Sequence, residues 1–156
     1  MLKAAYAAQV STFLSAVRNN RWVTDMKKGF LKNFGWLPGM GETRSWQANC
    51  PHIERIVETL DPTVLIAFEV SDPVVRGRTD VALMGKGCDG RDAIVILELK
   101  QWSNASSVES SPHLVMANTH HGVVEETNHP SAQAKSYGDR FLHWVEECDT
   151  DSSRAI

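Results

Sequence analysis

Along the first sixty residues, apolar side chains recur every three or four positions, the spacing of one face of an α-helix. In the first of these stretches the apolar stripe is Tyr6, Val10, Phe13 and Val17. Gly35 is placed to end the second stretch, because glycine readily adopts the left-handed conformation found after a helix. The pattern therefore predicts three helices, over residues 2–18, about 24–34 and about 43–60.

From residue 63 onward the pattern changes to runs of β-branched and apolar residues, which predict strands. These strands cover residues 63–70, 76–84 and 92–102, and a glycine-rich turn at 85–91 joins the last two as an antiparallel hairpin. The third strand contains an unbroken apolar run and is expected to lie in the core. Its end carries Glu98 and Lys100, which project to the same face because side chains alternate along a strand.

The last third of the chain is more polar. Residues 103–112 are serine-rich and predict a flexible loop, whereas 113–117 and 123–127 predict two more strands. Asn128 or His129 can cap a final helix, with Pro130 in its first turn. Gln133 and Tyr137 are four residues apart and share one face of that helix. Together these elements predict an α/β (α+β) fold.

Composition narrows the class of protein. Hydrophobic residues make up 42% of the 156 residues and charged residues 22%, which is typical of a globular domain. No apolar run approaches the ~20 residues needed to span a bilayer, and the first residues do not resemble a secretory signal. Three widely spaced cysteines fit reduced thiols better than disulfides or a zinc site, which favours the cytoplasm. The net charge of −3 gives no overall attraction to nucleic acid.

Two acids and a lysine are the strongest candidates for chemistry. The hairpin can bring Asp80 beside Glu98, with Lys100 next to both. Carboxylate oxygens are the ligands that Mg²⁺ prefers, and its remaining positions are filled by water or phosphate. Lys100 could orient the water or neutralise developing charge. An ordinary salt bridge at the end of a strand is the alternative interpretation.

Asp80, the hairpin and then Glu98-Leu99-Lys100 resemble the signature of the PD-(D/E)XK nuclease superfamily. The phrases Glu-Leu-Lys-Gln-Trp-Ser and His-Pro-Ser-x-Gln-x-x-x-Tyr, the second containing Gln133 and Tyr137, are similar to one subgroup. That subgroup is the nuclease-like domain upstream of Schlafen-type P-loop helicase domains of uncharacterised function. The resemblance covers roughly residues 64–145. Thr79 stands where the name-giving proline would be.

The resemblance implies a restriction-endonuclease-like core, with a mixed central sheet of four to five strands flanked by helices. It implies a single domain over 1–148, made of a helical extension (1–41) and a core (42–148), with 149–156 as a polar tail or truncated linker. It assigns Mg²⁺ or Mn²⁺ to Asp80, Glu98 and the Leu99 carbonyl. Superfamily members often add an acid from the helix before the sheet, which makes Glu54 and Glu58 further candidates. Glu69 is the fallback for Asp80.

The implied function is hydrolysis of phosphodiester bonds, with DNA as the expected substrate. Lys100 would deprotonate or position the attacking water, Gln133 would fix Lys100 or a phosphate, and Tyr137 would support Gln133. The implied partners are nucleic acid, a helicase or NTPase domain in cis or in trans, and a second copy in a homodimer, with no membrane. The alternative is a non-catalytic module that binds DNA or a partner chain and regulates a larger helicase system.

Other chemistries lack their motifs. Gly85-Lys86-Gly87 does not have the spacing of a phosphate-binding loop, and no nicotinamide fingerprint or serine-nucleophile turn occurs. Four histidines invite a metal interpretation, but their spacing fits no standard zinc pattern. Loop histidines are the favoured interpretation for His113, His120, His121 and His129.

Overall fold

A computed structural model describes residues 3–72, 75–119 and 122–152, with side chains described as far as residue 143. The chain divides into two compact units, Met1–Leu97 and Glu98–Ile156. The fold class is α+β, as predicted: a four-stranded and a three-stranded antiparallel sheet are combined with helices. Every described strand pair is antiparallel, so the mixed sheet that the resemblance implies is wrong for the residues that the structure describes. The restriction-endonuclease-like core and the single domain over 1–148 stay predictions.

The first unit contains three helices and one sheet. The helices are α1 (Val10–Arg18), α2 (Trp22–Phe34) and α3 (Met40–Val57). The strands are β1 (Tyr6–Gln9), β2 (Leu65–Ser71), β3 (Arg78–Lys86) and β4 (Asp92–Leu97), in the order β1-β2-β3-β4. Apolar faces of the helices and of β2 and β3 supply the fully buried side chains, including Phe13, Met26, Phe30, Ile53, Ile66 and Val81.

The predicted helix over residues 2–18 is wrong at its start. Tyr6–Gln9 forms the edge strand β1, which pairs antiparallel with β2 from Tyr6↔Phe68 to Gln9↔Leu65. The helical extension expected over 1–41 therefore includes one strand of the sheet. The alanines of this segment are compatible with a helix. However, pairing with β2 satisfies the backbone N–H and C=O groups of residues 6–9, and this long-range pairing outweighs the local helix propensity. The stripe beyond it, from Val10, is helical as predicted.

The hairpin prediction is confirmed, with a correction to its environment. β3 and β4 pair antiparallel from Val81↔Leu97 to Lys86↔Asp92, and Gly90 has a φ of +77° in the turn. However, β4 ends at Leu97 and lies at the edge of the sheet. Its apolar side chains are largely exposed, with Val95 at 51%, so the expectation of a core strand is wrong.

The second unit consists of a three-stranded antiparallel sheet and one long helix. The strands are β5 (Ala105–Val108), β6 (Ser111–Asn118) and β7 (Val124–Asn128), followed by α4 (Pro130–Ser152). The loop predicted over 103–112 is wrong, because β5 pairs with β6 there. The tail predicted over 149–156 is helical as far as Ser152, and residues 153–156 lie outside the described residues. His120 and His121 lie outside the described residues.

Candidate active site

Four of the predicted site residues are joined by hydrogen bonds in the second unit. The Lys100 ammonium donates to Glu98 Oε1 at 2.6 Å and to Gln133 Oε1 at 3.0 Å. The Gln133 amide in turn donates to the Tyr137 hydroxyl at 3.4 Å, a longer and weaker contact. These four residues, Glu98, Lys100, Gln133 and Tyr137, are called the polar chain below.

The start of α4 explains the position of Gln133 and Tyr137. The His129 imidazole accepts a hydrogen bond from the Ser131 N–H at 3.1 Å, which caps the helix, and Pro130 occupies the first helical position. The Gln133 N–H donates to the His129 carbonyl at 3.1 Å and so closes the first turn. Gln133 therefore lies at the beginning of the helix, and Tyr137 follows one turn later on the same face.

The structure brings the Glu98 and Lys100 side chains together across one intervening residue, as the sequence predicted. The paired strand β4 ends at Leu97, so residues 98–100 lie just beyond the ladder. The strand predicted over 92–102 is therefore too long at its end, whereas the predicted contact is present. The Glu98 side chain is only 5% exposed and that of Lys100 25%.

One side-chain atom of the polar chain has no hydrogen-bond partner within the described residues. Glu98 Oε2 is buried and accepts no hydrogen bond from any residue in the described part of the chain. In the same part of the chain, three other buried side-chain atoms have no hydrogen-bond partner, and they belong to Trp22, Thr79 and Thr119. These three side chains are neutral, whereas Glu98 carries a charge. A carboxylate oxygen without a partner in a buried position is costly, and a bound ion or water is a common explanation.

This oxygen fits the chemistry of a hard divalent cation. Mg²⁺ takes oxygen ligands, usually one or two carboxylates, and fills its shell with water and phosphate. Within residues 3–72, 75–119 and 122–152, no group of three His, Cys, Asp or Glu side chains gathers in the arrangement of a metal site. A site built on Glu98 would therefore depend on few protein ligands.

Asp80 belongs to the first unit, on β3. It is half-buried and lies between two register pairs with β2, Phe68↔Val81 and Val70↔Thr79. Thr79, the residue in place of the expected proline, is fully buried. The next pair of the β3–β4 ladder is Val81↔Leu97. In the sequence, Asp80 directly precedes Val81 and Glu98 directly follows Leu97.

The fallback acid Glu69 is engaged elsewhere in the first unit. Its carboxylate accepts from Trp46 Nε1 at 2.8 Å and from Arg78 Nε at 2.7 Å. Arg78 also pairs with Glu42, and its guanidinium lies 5.0 Å from the centre of the Phe30 ring. We call Glu42, Trp46, Glu69 and Arg78 the Arg78 cluster. With both of its oxygens bonded, Glu69 is a structural residue of this cluster.

The two helix glutamates lie on α3 and at its end, also in the first unit. Glu54 is half-buried one turn after Cys50, whereas Glu58 is an exposed residue at the C-cap. Burial, together with the nearby Glu54 carboxylate, raises the pKa of the Cys50 thiol to about 11. The carboxylate of Glu54 thus acts on a neighbouring thiol, and its metal role stays a prediction, as does that of Glu58.

Three residues beside the polar chain were not assigned to a site by the sequence. His113 on β6, Asn128 at the end of β7 and Arg140 on α4 line one cavity with Gln133 and Tyr137. His113 lies on β6, so the strand predicted over 113–117 is confirmed and the interpretation of His113 as a loop histidine is wrong. The signal available in the sequence was the helical spacing of Gln133, Tyr137 and Arg140, which share one side of α4.

Comparisons of the chain with family models, with curated proteins and with solved structures gave no match. The superfamily resemblance therefore stays a prediction that rests on the residues quoted for it. Within the described part of the chain, no helix combines the length and apolarity required to cross a membrane.

Proposed function

We propose that the chain is a metal-dependent nuclease domain that hydrolyses phosphodiester bonds, with DNA as its expected substrate. The observation that supports this proposal is Glu98 Oε2, a buried carboxylate oxygen that has no partner among the residues the structure describes, next to an ammonium held by two acceptors. A structural ion pair satisfies both members, whereas this pair leaves one acceptor for a ligand.

Glu98 is the central metal ligand of the proposed site. Glu98 Oε2 would hold Mg²⁺ or Mn²⁺, with Asp80 and the Leu99 carbonyl as the further ligands that the resemblance implies. When bound, the cation would supply charge neutralisation at the phosphoryl group and lower the pKa of a water molecule. Glu98 Oε1 keeps the Lys100 ammonium beside that position.

Lys100 is the residue that would act on the attacking water. A lysine ammonium has three N–H donors, and Glu98 and Gln133 account for two of them. The third can be donated to the water or to a phosphoryl oxygen, where it would stabilise developing negative charge. Gln133 fixes the ammonium through its carbonyl oxygen, and Tyr137 accepts from the Gln133 amide.

The test is a cleavage assay with the purified chain. Single-stranded, duplex and branched DNA are incubated with Mg²⁺, with Mn²⁺ and with EDTA. We expect cleavage that needs the metal and that falls ~10²–10³-fold in Lys100→Ala, the loss typical of one charge-stabilising donor. Lys135→Ala is the matched control, because Lys135 lies exposed on α4 in an ion pair with Asp139. Equal behaviour of the two variants contradicts the assignment.

A non-catalytic module that binds DNA or a partner chain and regulates a helicase system is the second candidate. The observation that favours it is the 2.6 Å Lys100–Glu98 pair, which neutralises the acid without any metal. Calorimetric titration with Mn²⁺ separates the two functions. Binding that is lost in Glu98→Gln supports the nuclease, and a chain indifferent to metal supports the module.

A further inference from the structure

An open cavity of about 420 Å³ lies next to the polar chain in the second unit. One side is formed by the start of β6 and the end of β7, and the other by one face of α4. Its volume is within the range of small-ligand sites. The side chains that matter for its chemistry are those of His113, Asn128, Gln133, Ser136, Tyr137 and Arg140.

The lining is suited to an anion. Among the residues that the structure describes, the cavity lining contains no aspartate or glutamate, whereas Arg140 carries a permanent positive charge. The imidazole of His113 and the amides of Asn128 and Gln133 add hydrogen-bond donors. A ligand with several acceptor oxygens and a negative charge would therefore be favoured over a cation or an apolar molecule.

The Arg140 guanidinium is held in place by its neighbours on α4. It lies 4.9 Å from the centre of the Tyr137 ring and donates a hydrogen bond to Ser136 Oγ. Stacking on an aromatic ring limits the rotamers of arginine, so less entropy is lost when it binds a ligand. The same Tyr137 accepts from Gln133, which connects this guanidinium to Lys100 through two hydrogen bonds.

We propose that this cavity binds a backbone phosphate of a nucleic acid, one that flanks the phosphate at the polar chain. The identity of the ligand rests on the proposed function, whereas the preference for an anion rests on the lining alone. Gln133 is common to both places: it accepts from Lys100 and also lines the cavity. Arg140 is the residue that would supply the charge for the flanking phosphate.

The proposal is tested by binding without metal, so that cleavage plays no part. Fluorescence anisotropy with the full chain in EDTA measures the affinity for one labelled strand, as DNA and as RNA, across a series of salt concentrations. We expect Arg140→Gln to weaken binding about tenfold, as the loss of a charge-assisted phosphate contact does. The slope of log K against log salt should fall by about 0.7 for the single strand.

Two further variants keep the result interpretable. Lys135→Gln removes one charge from the same helix at a residue outside the cavity, and it should leave the slope unchanged. Asn128→Asp adds a negative charge to the lining without altering Arg140 or its helix, and it should weaken binding about as much as Arg140→Gln. Circular dichroism verifies that each variant is folded.

The proposal is overturned if wild type binds neither strand, or if Arg140→Gln and Lys135→Gln lose the same affinity and slope. Binding by wild type that is insensitive to both Arg140→Gln and Asn128→Asp overturns it as well. Failure of the nuclease proposal looks different: no strand is cleaved with Mg²⁺ or Mn²⁺, while the Arg140-dependent binding in EDTA persists.

Discussion

The Arg78 cluster and the polar chain both combine a cation with carboxylate, yet they differ in how the carboxylate oxygens are bonded. Arg78 contacts two carboxylates and lies over Phe30, and both oxygens of Glu69 are bonded. In the polar chain, Glu98 has one bonded oxygen and one buried oxygen without a partner in the described residues. A satisfied cluster stabilises the fold, whereas an unsatisfied acid is available to a ligand.

The comparison predicts that Glu98→Gln separates activity from stability. We expect cleavage to fall by at least ~10²-fold, because the amide removes the anionic ligand and the charge that holds Lys100. The free energy of unfolding without metal should change by less than about 1 kcal/mol, because Lys100 is a quarter exposed and keeps Gln133 as an acceptor, while a buried carboxylate with one unbonded oxygen is removed. Urea unfolding in EDTA and a cleavage assay measure the two effects. A large loss of stability would place Glu98 with the structural groups.

Arg78→Met should lower the stability of the fold and leave the cleavage activity nearly unchanged. Removing the guanidinium leaves the carboxylates of Glu42 and Glu69 without the cation that they share, in positions that are only partly exposed. We expect the free energy of unfolding to fall by about 2 kcal/mol, less than for a fully buried pair. Cleavage by the folded protein should stay within a few-fold of wild type. Arg44→Met, on the exposed side of α3, is the control, and an equal loss there would mean that the cluster is not structural.

Added Mg²⁺ should stabilise the proteins that keep Glu98 against unfolding and should not stabilise Glu98→Gln. At a Mg²⁺ concentration ten times the dissociation constant, wild type and Arg78→Met should each gain about 1.4 kcal/mol of stability by mass action. Glu98→Gln should gain nothing. Differential scanning calorimetry with and without Mg²⁺ provides the measurement. A gain retained in Glu98→Gln would show that the cation binds elsewhere.

The smallest expected effect is a change in the reactivity of Cys50 when Glu54 is replaced, and it tests whether Glu54 is a metal ligand. Its carboxylate helps to raise the pKa of Cys50 to about 11, with burial as the larger cause. Glu54→Gln should therefore lower that pKa and speed alkylation of Cys50 at pH 8 by less than about tenfold, the change that one pKa unit gives. The rate should rise with pH toward 11. Site-resolved mass spectrometry measures it, with Glu58→Gln as the control.

If Glu54 does not bind metal, Mg²⁺ should leave the Cys50 alkylation rate unchanged. An increase on adding Mg²⁺ would mean that the cation neutralises Glu54, and this glutamate would then have to be counted among the ligands.

Local pattern predicted the parts of the fold that local forces determine. The helix containing Gln133 and Tyr137 follows from the capping residues and the spacing of four, and Gly35 ends α2 with a φ of +88° as expected. The hairpin followed from its glycine-rich turn. Each of these features depends on residues that are close in sequence, so each can be predicted from a single short stretch.

The errors come from contacts between distant residues. β1 exists because Tyr6 pairs with Phe68, and nothing within residues 2–18 reveals that partner. The Arg78 cluster joins Glu42 to a residue 36 positions away, so Glu69 remained a candidate ligand. The run at 93–97 was assigned to the core because composition reports hydrophobicity, not a strand's position in the sheet order.

That edge strand has a consequence for handling the protein. Ala93-Ile94-Val95-Ile96-Leu97 is β-prone, uncharged and free of proline, and Ile94 and Val95 are solvent-exposed at the sheet's margin. Such a segment can template strand addition between molecules, which is the first step toward cross-β fibrils. Asp92, paired with Lys86, is a charged gatekeeper at one end. We expect concentrated samples to form thioflavin-positive aggregates, and Val95→Lys to delay their formation.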